Sequence, residues 1–236
     1  MPISDRNLEG LAMCFSIQVD KDIKKLALTF SATPVVSEFK ALQEMKKISK
    51  KIKLPAVDGI VYPNYFAPVI VSQEKKRFIR PMRYRVRPLG SDKEIPSKYN
   101  VFNARVDSLE KRETWSKIFM RQHGIVAFNH FYEWVENEDG KKQLIYFKPQ
   151  DKEQMWAPCL WDYWKSHDQK IQYFSFAIIT TDPPQEVLEA GHDRCPIFLK
   201  ENQIDIWLNP EGLSKKEIYE SLDIQEDVIY KNEKVS

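Results

Sequence analysis

The run Gly124-Ile125-Val126-Ala127-Phe128, continuing through Asn129-His130 into Phe131-Tyr132-Glu133-Trp134, constrains this chain more than any other stretch. Branched and aromatic residues dominate it, so it reads as a core strand over 124–134. A strand of that composition has to be covered, which commits the chain to a sheet with a buried face. The same strand carries a carboxylate, Glu133, between aromatic rings. Pointing inward, such a carboxyl loses hydration and favours its protonated form; pointing outward from an alternating strand, it is an ordinary surface acid. The local sequence leaves both open. Other reactive side chains occur in comparably apolar settings, in Asn103-Ala104-Arg105, His192-Asp193-Arg194 and Met13-Cys14.

The remaining pattern extends the sheet. Ala67-Pro68-Val69-Ile70-Val71 followed by Arg77-Phe78-Ile79-Arg80 reads as a β-hairpin, and Arg83-Tyr84-Arg85-Val86-Arg87 as a further strand with its arginines on one face. Strands are expected at Cys14–Ile17, Leu144–Phe147, Trp156–Leu160 and Tyr173–Thr180. Phe39, Leu42, Met45, Ile48 and Ile52 recur every three or four residues, the spacing of an amphipathic helix over Val35–Ile52. Weaker helical signals cover Asp22–Phe30, Thr114–Gln122 and Asn202–Leu208. Asp182-Pro183-Pro184 has the N-cap-then-Pro form that opens a helix to about Ala190, and Ser214-Lys215-Lys216-Glu217 is a capping box for a helix to Ser221. With no internal repeat, the sum is α+β: a single domain with a mostly antiparallel, barrel-like β-sheet and flanking short helices. Residues 1–12 read as a polar N-terminal appendage, 13–221 as the domain, and 222–236 as a loose acidic tail.

The formal charge of +2 conceals a local excess. From Lys75 to Arg105 there are ten basic residues against two acids, Asp92 and Glu94. Such a segment is either a face for polyanions or a solvated strand pair. Cys14, Cys159 and Cys195 are far apart with no C-x-x-C pair, which argues against a zinc site or a disulfide framework and for a reducing compartment. Residues 1–12 carry Asp5, Arg6 and Glu9 and lack an apolar signal-peptide core, and no run approaches membrane-spanning length. A soluble cytoplasmic protein without a membrane partner is expected.

Glycine-rich phosphate loops, HExxH and G-x-S-x-G are absent, which removes P-loop enzymes, zincins and α/β-hydrolases. What remains is one thiol, one carboxylate, one amide and one imidazole that could converge. Of the four histidines, His167 lies in a polar loop, while His123 at a helix end and His130 in the core strand are accounted for by packing. His192 differs, because Gly191 and Asp193-Arg194 set it on a turn leading into Pro196-Ile197-Phe198.

Met13-Cys14, Asn103-Ala104-Arg105, Phe131-Tyr132-Glu133-Trp134 and His192-Asp193-Arg194-x-Pro196, in this order and rough spacing, resemble the SOS-response-associated peptidase (SRAP) family, proteins that crosslink to abasic sites in single-stranded DNA. The resemblance runs from Met13 to about Leu208, with Ala67-Pro68, Gln122-His123-Gly124 and Phe176–Thr180 as weaker matches. Each motif is short, and their order makes the set specific. The resemblance implies that loss of residues 1–13 exposes the α-amino group and thiol of Cys14. That 1,2-aminothiol would condense with the aldehyde of a ring-opened abasic sugar, first as an imine and then as a thiazolidine. It further implies that Glu133 handles protons during ring opening and imine formation, that Asn103 orients the adduct, and that His192 acts as acid or base and assists reversal. Arg105 and Arg194 would hold flanking phosphates, with Arg83 and Arg85 as further DNA contacts. No metal or organic cofactor is implied, and the partner is single-stranded DNA with abasic sites, bound by a nucleoid-associated monomer. A non-covalent single-stranded DNA binding module and a thiol (auto)peptidase using Cys14 and His192 stay open as alternatives.

The chain departs from that family's usual pattern in three places. Met-Cys-Gly-Arg is replaced by Met13-Cys14-Phe15-Ser16, the tryptophan-rich loop before Asn-Ala-Arg by Leu89–Lys98, and Asp-Gly by Asn129-His130. Weaker base stacking is therefore expected, with phosphate contacts from Arg77 to Arg87 compensating at the cost of a steeper salt dependence. The residues before Met13 would keep the Cys14 nitrogen an amide, so crosslinking requires either translation from Met13, the simpler account, or cleavage of the leader.

Overall fold

The computed structural model describes residues 16–56, 58–136 and 139–235. Met13, Cys14 and Phe15 lie outside them. The strands are β1 (Ser16–Gln18), β2 (Ala32–Pro34), β3 (Ile60–Val61), β4 (Phe66–Gln73), β5 (Lys76–Tyr84), β6 (Asn103–Arg105), β7 (His123–Phe128), β8 (His130–Glu136), β9 (Lys142–Pro149), β10 (Met155–Lys165), β11 (Gln172–Thr181), β12 (Cys195–Pro196) and β13 (Tyr230–Lys234). The helices are α1 (Ile23–Thr29), α2 (Val36–Ile48), α3 (Glu113–Ser116), α4 (Gln185–Glu189), α5 (Ile204–Leu208) and α6 (Lys215–Asp223).

Strands β11, β10, β7, β4 and β5 pair in that order, and β5 pairs back onto β11, which closes a five-stranded barrel. Every pairing in the ring is antiparallel except the parallel β5–β11 seam. The apolar runs Val69–Val71, Ile125–Phe128 and Phe176–Ile179 do not alternate with polar residues because both faces of this barrel are covered. Val69, Val71, Val126, Phe128 and Ile178 belong to one cluster. Ile70, Ile125, Ala127, Ala177 and Ile179 belong to a second, packed with Trp115, Trp207, Leu208 and Ile218 from the helices. The expected class, a single α+β domain with a mostly antiparallel barrel and short helices, is the observed one.

The strand expected over 124–134 is in fact two, and the break matters. At Asn129 the chain leaves the barrel: its N–H donates to the Gln18 carbonyl (2.7 Å) and its side-chain amide to the Glu153 carbonyl (2.8 Å). β8 therefore joins a second sheet, in the order β13-β9-β8-β1-β3, all antiparallel. Further expectations change. Arg83–Arg87 is not a strand of its own, since β5 ends at Tyr84 and Arg85 takes φ 134°. Asp182 does not cap α4: Pro184 occupies the N-cap position, and Asp182 accepts from Arg194 instead. The segment from Leu222 is not a loose tail, because β13 pairs with β9 from Tyr230↔Pro149 to Lys234↔Ile145. The helices expected over 35–52 and 114–122 are shorter, ending at Ile48 and Ser116. The capping box of α6 is present as expected.

Between barrel and helices, His123 stacks on Trp207 with ring centroids 3.8 Å apart. Its Nε2 accepts the Met120 N–H, which leaves Nδ1–H to donate to the Trp207 carbonyl at 2.6 Å. The Trp207 indole in turn donates to the Gly124 carbonyl at 2.8 Å. A Cβ on Gly124 would lie 2.9 Å from Val69 Cγ1, a close approach that requires glycine. Burial pulls His123 down from 6.5 to about 4, opposed by its bond to Trp207. Because the folded-state value is depressed, the unfolded chain binds the extra proton between those limits, and stability falls as pH drops through that window. Urea titrations are expected to show a loss of about 3 kcal/mol from this group between pH 6.5 and 4. His123→Gln should flatten that part of the profile.

Candidate active site

β8 turns Phe131, Glu133 and Val135 to the buried face, while on the opposite face His130 and Trp134 are part-exposed and Tyr132 is buried between them. Glu133 is 0% exposed, so of the two orientations open from sequence the inward one holds. Phe131, two residues earlier, stacks on Phe147 at 4.9 Å and meets the edge of Tyr230 at 5.4 Å. The carboxylate is thereby fixed at the inner face of the second sheet by rings on β8, β9 and β13.

Its partner arrives from the other sheet. After α4 the chain turns at Gly191, whose φ of 95° suits glycine, and presents His192, 2% exposed. His192 Nε2 lies 3.0 Å from Glu133 Oε2. The contact has ion-pair distance without the alignment of a hydrogen bond, and catalytic contacts often tighten only when substrate is bound. At the far side of the ring, Nδ1 sits 2.9 Å from the Arg194 carbonyl and 3.3 Å from the Arg194 N–H. A neutral ring with its proton on Nε2 accepts that N–H at Nδ1, and an imidazolium donates to the carbonyl. Nδ1 thus has both a backbone donor and a backbone acceptor within reach.

Asn103 opens β6, buried, and its side-chain oxygen accepts the Tyr84 hydroxyl at 3.0 Å. Asn100 Oδ1 accepts the N–H groups of Phe102 and Asn103, which fixes the approach of the chain. Asn103 stands opposite Ile178 on β11, Arg105 opposite Thr180, and Cys195 opposite Thr181 on the other side. Asn103 and Arg105 therefore lie beside the C-terminal end of β11 on β6, and Arg194 precedes the Cys195 that pairs with it from β12.

Residues 13–236 match the family described as SOS response associated peptidase (SRAP). The chain belongs to the SRAP family. Among relatives, Abasic site processing protein YoaM of Bacillus subtilis (strain 168) is 27% identical over 127 residues, 54% of this chain and 54% of that protein. Abasic site processing protein YMR114C of Saccharomyces cerevisiae is 30% identical over 114 residues, 47% of this chain and 29% of that protein. The chain spans about half the length of the bacterial relative and less of the yeast one. A crystal structure of a protein from Bacteroides thetaiotaomicron shares the fold, with a TM-score of 0.71 at 20% identity over 94% of this chain and 92% of that one.

The other SRAP residues expected from sequence fall in different places. Cys14 lies outside the described residues. Cys159 and Cys195 are buried, and burial pushes the thiol of Cys159 well up and that of Cys195 to about 12, so neither is a ready nucleophile. Arg105 makes a two-pronged contact with Asp107 at 3.0 and 2.8 Å, and Arg194 meets Asp182 at 2.8 Å. Arg83 and Arg85 are not part of this cluster. They line a separate cavity on the opposite side of β5 from the Tyr84 hydroxyl. Among the described residues no three His, Cys, Asp or Glu side chains group as a metal-ligand set, and no helix is long and apolar enough to cross a membrane.

Two side chains were not singled out in the sequence. Tyr84, fully buried beneath Phe176, holds Asn103. Thr180, also fully buried, has a hydroxyl without a hydrogen-bond partner among the described residues and sits between Arg105 and Pro196. Alternation could place Tyr84 on the core face, but nothing in the sequence says that its hydroxyl reaches residue 103. Tyr84→Phe is expected to fold and to lower stability by about 1 kcal/mol in urea titrations, the worth of one buried hydrogen bond.

Proposed function

We propose that this chain recognises abasic sites in single-stranded DNA and traps them covalently through Cys14 once residues 1–13 are absent. The observation that carries the reading is the buried Glu133–His192 contact at 3.0 Å on the strand next to β1. Ser16 on β1 stands opposite Tyr132, the residue before Glu133. Two peptide links separate Cys14 from Ser16, so covalent geometry limits their Cα separation to about 7 Å. This reading is supported by the start of β1, two residues after Cys14, being paired with the strand that carries Glu133. The names of the relatives, abasic site processing proteins, support the same substrate.

The chemistry follows from the groups. The free Cys14 amine adds to the C1′ aldehyde of the ring-opened sugar, and loss of water gives an imine. Addition of the thiolate to the imine carbon, with protonation of nitrogen, closes a thiazolidine, so one water leaves in total. Glu133 and His192 move the protons: one supplies a proton to the departing hydroxyl, the other accepts one from the attacking nitrogen or sulfur. The Asn103 amide, held from behind by Tyr84, orients the sugar. Arg105 and Arg194 exchange their exposed carboxylate partners for the flanking phosphates.

Incubation with a single-stranded oligonucleotide carrying one abasic site is expected to give a species that survives denaturing gel electrophoresis. Cys14→Ser should abolish it, and Glu133→Gln should slow its formation by about 10²–10⁴-fold, the usual worth of a positioned proton-transfer group. An adduct of unchanged yield in Cys14→Ser would overturn the assignment of the nucleophile. Turnover of a peptide substrate in the absence of DNA would favour the thiol-peptidase alternative.

A further inference from the structure

At Arg85 the backbone takes φ 134°, a value that bulky side chains rarely adopt. The ladder of β5 ends there, and the loop over 89–98 folds back across the arginines that follow: Arg85 donates to the Ile95 carbonyl at 2.5 Å and Arg87 to the Asp92 carbonyl at 3.2 Å. A cavity of about 580 Å³ opens between this loop, β5 and the segment after α2. That volume lies within the roughly 300–1,000 Å³ of small-ligand sites.

Its lining is cationic. Lys51, Lys53, Arg83, Arg85, Arg87 and Lys93 face it, against Asp92 and Glu94. The Asp92 carboxylate meets His167 at 2.9 Å, which leaves Glu94 as the carboxylate in contact with the arginines, 3.1 Å from Arg83 and 3.3 Å from Arg87. These arginines are not surface decoration, because their side chains are only 8% and 12% exposed. Arg83 is further held by Tyr173 and by the side-chain oxygen of Asn64. Arg87 lies 3.4 Å over the Trp164 ring, yet its Nε is buried without a hydrogen-bond partner among the described residues. An unpaired buried donor on a fixed cation costs free energy that a bound anion would recover.

We propose that this cavity binds a phosphate-bearing ligand, and that the Glu94 carboxylate is the internal anion which the phosphate displaces. Planar guanidiniums bind phosphate by paired N–H donors, and two of them are set here by aromatic rings and an amide rather than left to find their geometry on binding. Glu94 is 41% exposed on its loop and has room to swing out. The site goes beyond the abasic-site reading. Neighbouring residues of a strand point to opposite faces, and Tyr84 reaches Asn103 while Arg83 reaches Tyr173, so the cavity and the Glu133–His192 centre lie on opposite sides of β5. The phosphate comes either from a DNA strand or from a free nucleotide.

Titration of inorganic pyrophosphate into the full chain at low ionic strength, followed by tryptophan fluorescence and calorimetry, tests the assignment. Saturable binding is expected, weakened about tenfold or more in Arg87→Gln, the loss of one charge-assisted hydrogen bond, and tightened several-fold in Glu94→Gln. Circular dichroism checks that each variant folds, and Glu94→Gln alone remains decisive if Arg87→Gln does not. No saturable binding, or equal binding by the unaltered chain and Glu94→Gln, overturns the proposal. Displacement of pyrophosphate by an undamaged oligothymidylate assigns the source to a DNA strand, displacement by ADP alone assigns it to a free nucleotide, and displacement by neither overturns it. Crosslinking to an abasic oligonucleotide is read in parallel on the unaltered chain. Absence of pyrophosphate binding with crosslinking intact overturns the cavity alone, and the reverse overturns the crosslinking reading alone.

Discussion

Glu133 and His192 meet at 3.0 Å with side chains 0% and 2% exposed, and much of the second sheet exists to make that contact tolerable. Withdrawing a carboxylate and an imidazole from water costs several kcal/mol per charged group, recovered only when position and partners are fixed. β13 supplies part of that fixing. Tyr230 packs its ring against Phe131, while its N–H donates to Glu186 of α4 at 2.9 Å, so one residue ties the strand under the carboxylate to the helix before the histidine. The Arg194 backbone closes the arrangement by offering Nδ1 a donor and an acceptor at once.

The guanidiniums beside this centre and those of the separate cavity differ in what holds them. Arg194 is paired with an Asp182 that is 88% exposed, and Arg105 with an Asp107 that is 54% exposed. The Arg105–Asp107 pair is exposed on both sides and contributes about 0–1 kcal/mol, whereas Arg194 is itself only 10% exposed. Arg83 and Arg87 are as buried as Arg194 and are in addition locked against rings. Their charge is built into the fold whether or not an anion other than Glu94 is present. Within the basic stretch from Lys75 to Arg105, Arg83, Arg85 and Arg87 line the cavity, while Arg77, Arg80 and Arg105 pair with carboxylates.

Much of this was legible in the sequence, for identifiable reasons. Apolar runs without alternation marked the barrel strands, and the order of four short motifs marked the family, because neither depends on knowing where the chain turns. The division of 124–134 was not legible, since Asn129 ends β7 by donating to Gln18, more than a hundred positions away in sequence, and no local signal records such a contact. The strand at Tyr230–Lys234 was missed for a related reason: Lys231, Asn232, Glu233 and Lys234 are all exposed on an edge strand, so its composition reads as tail. Asp182 was read as a helix cap from its neighbours, whereas Arg194, twelve positions on, holds it. Glu133 and His192 were each singled out locally, but their meeting required two sheets to be brought together.

The central claim is that a thiol at the start of the mature chain works beside that pair. Intact mass spectrometry of the purified protein, before and after incubation with a single-stranded oligonucleotide carrying one abasic site, tests it most directly. The account expects a starting mass for a chain whose first residue is Cys14, followed by a shift equal to the oligonucleotide less one water. A protein that starts at Cys14 and shows no shift would contradict it.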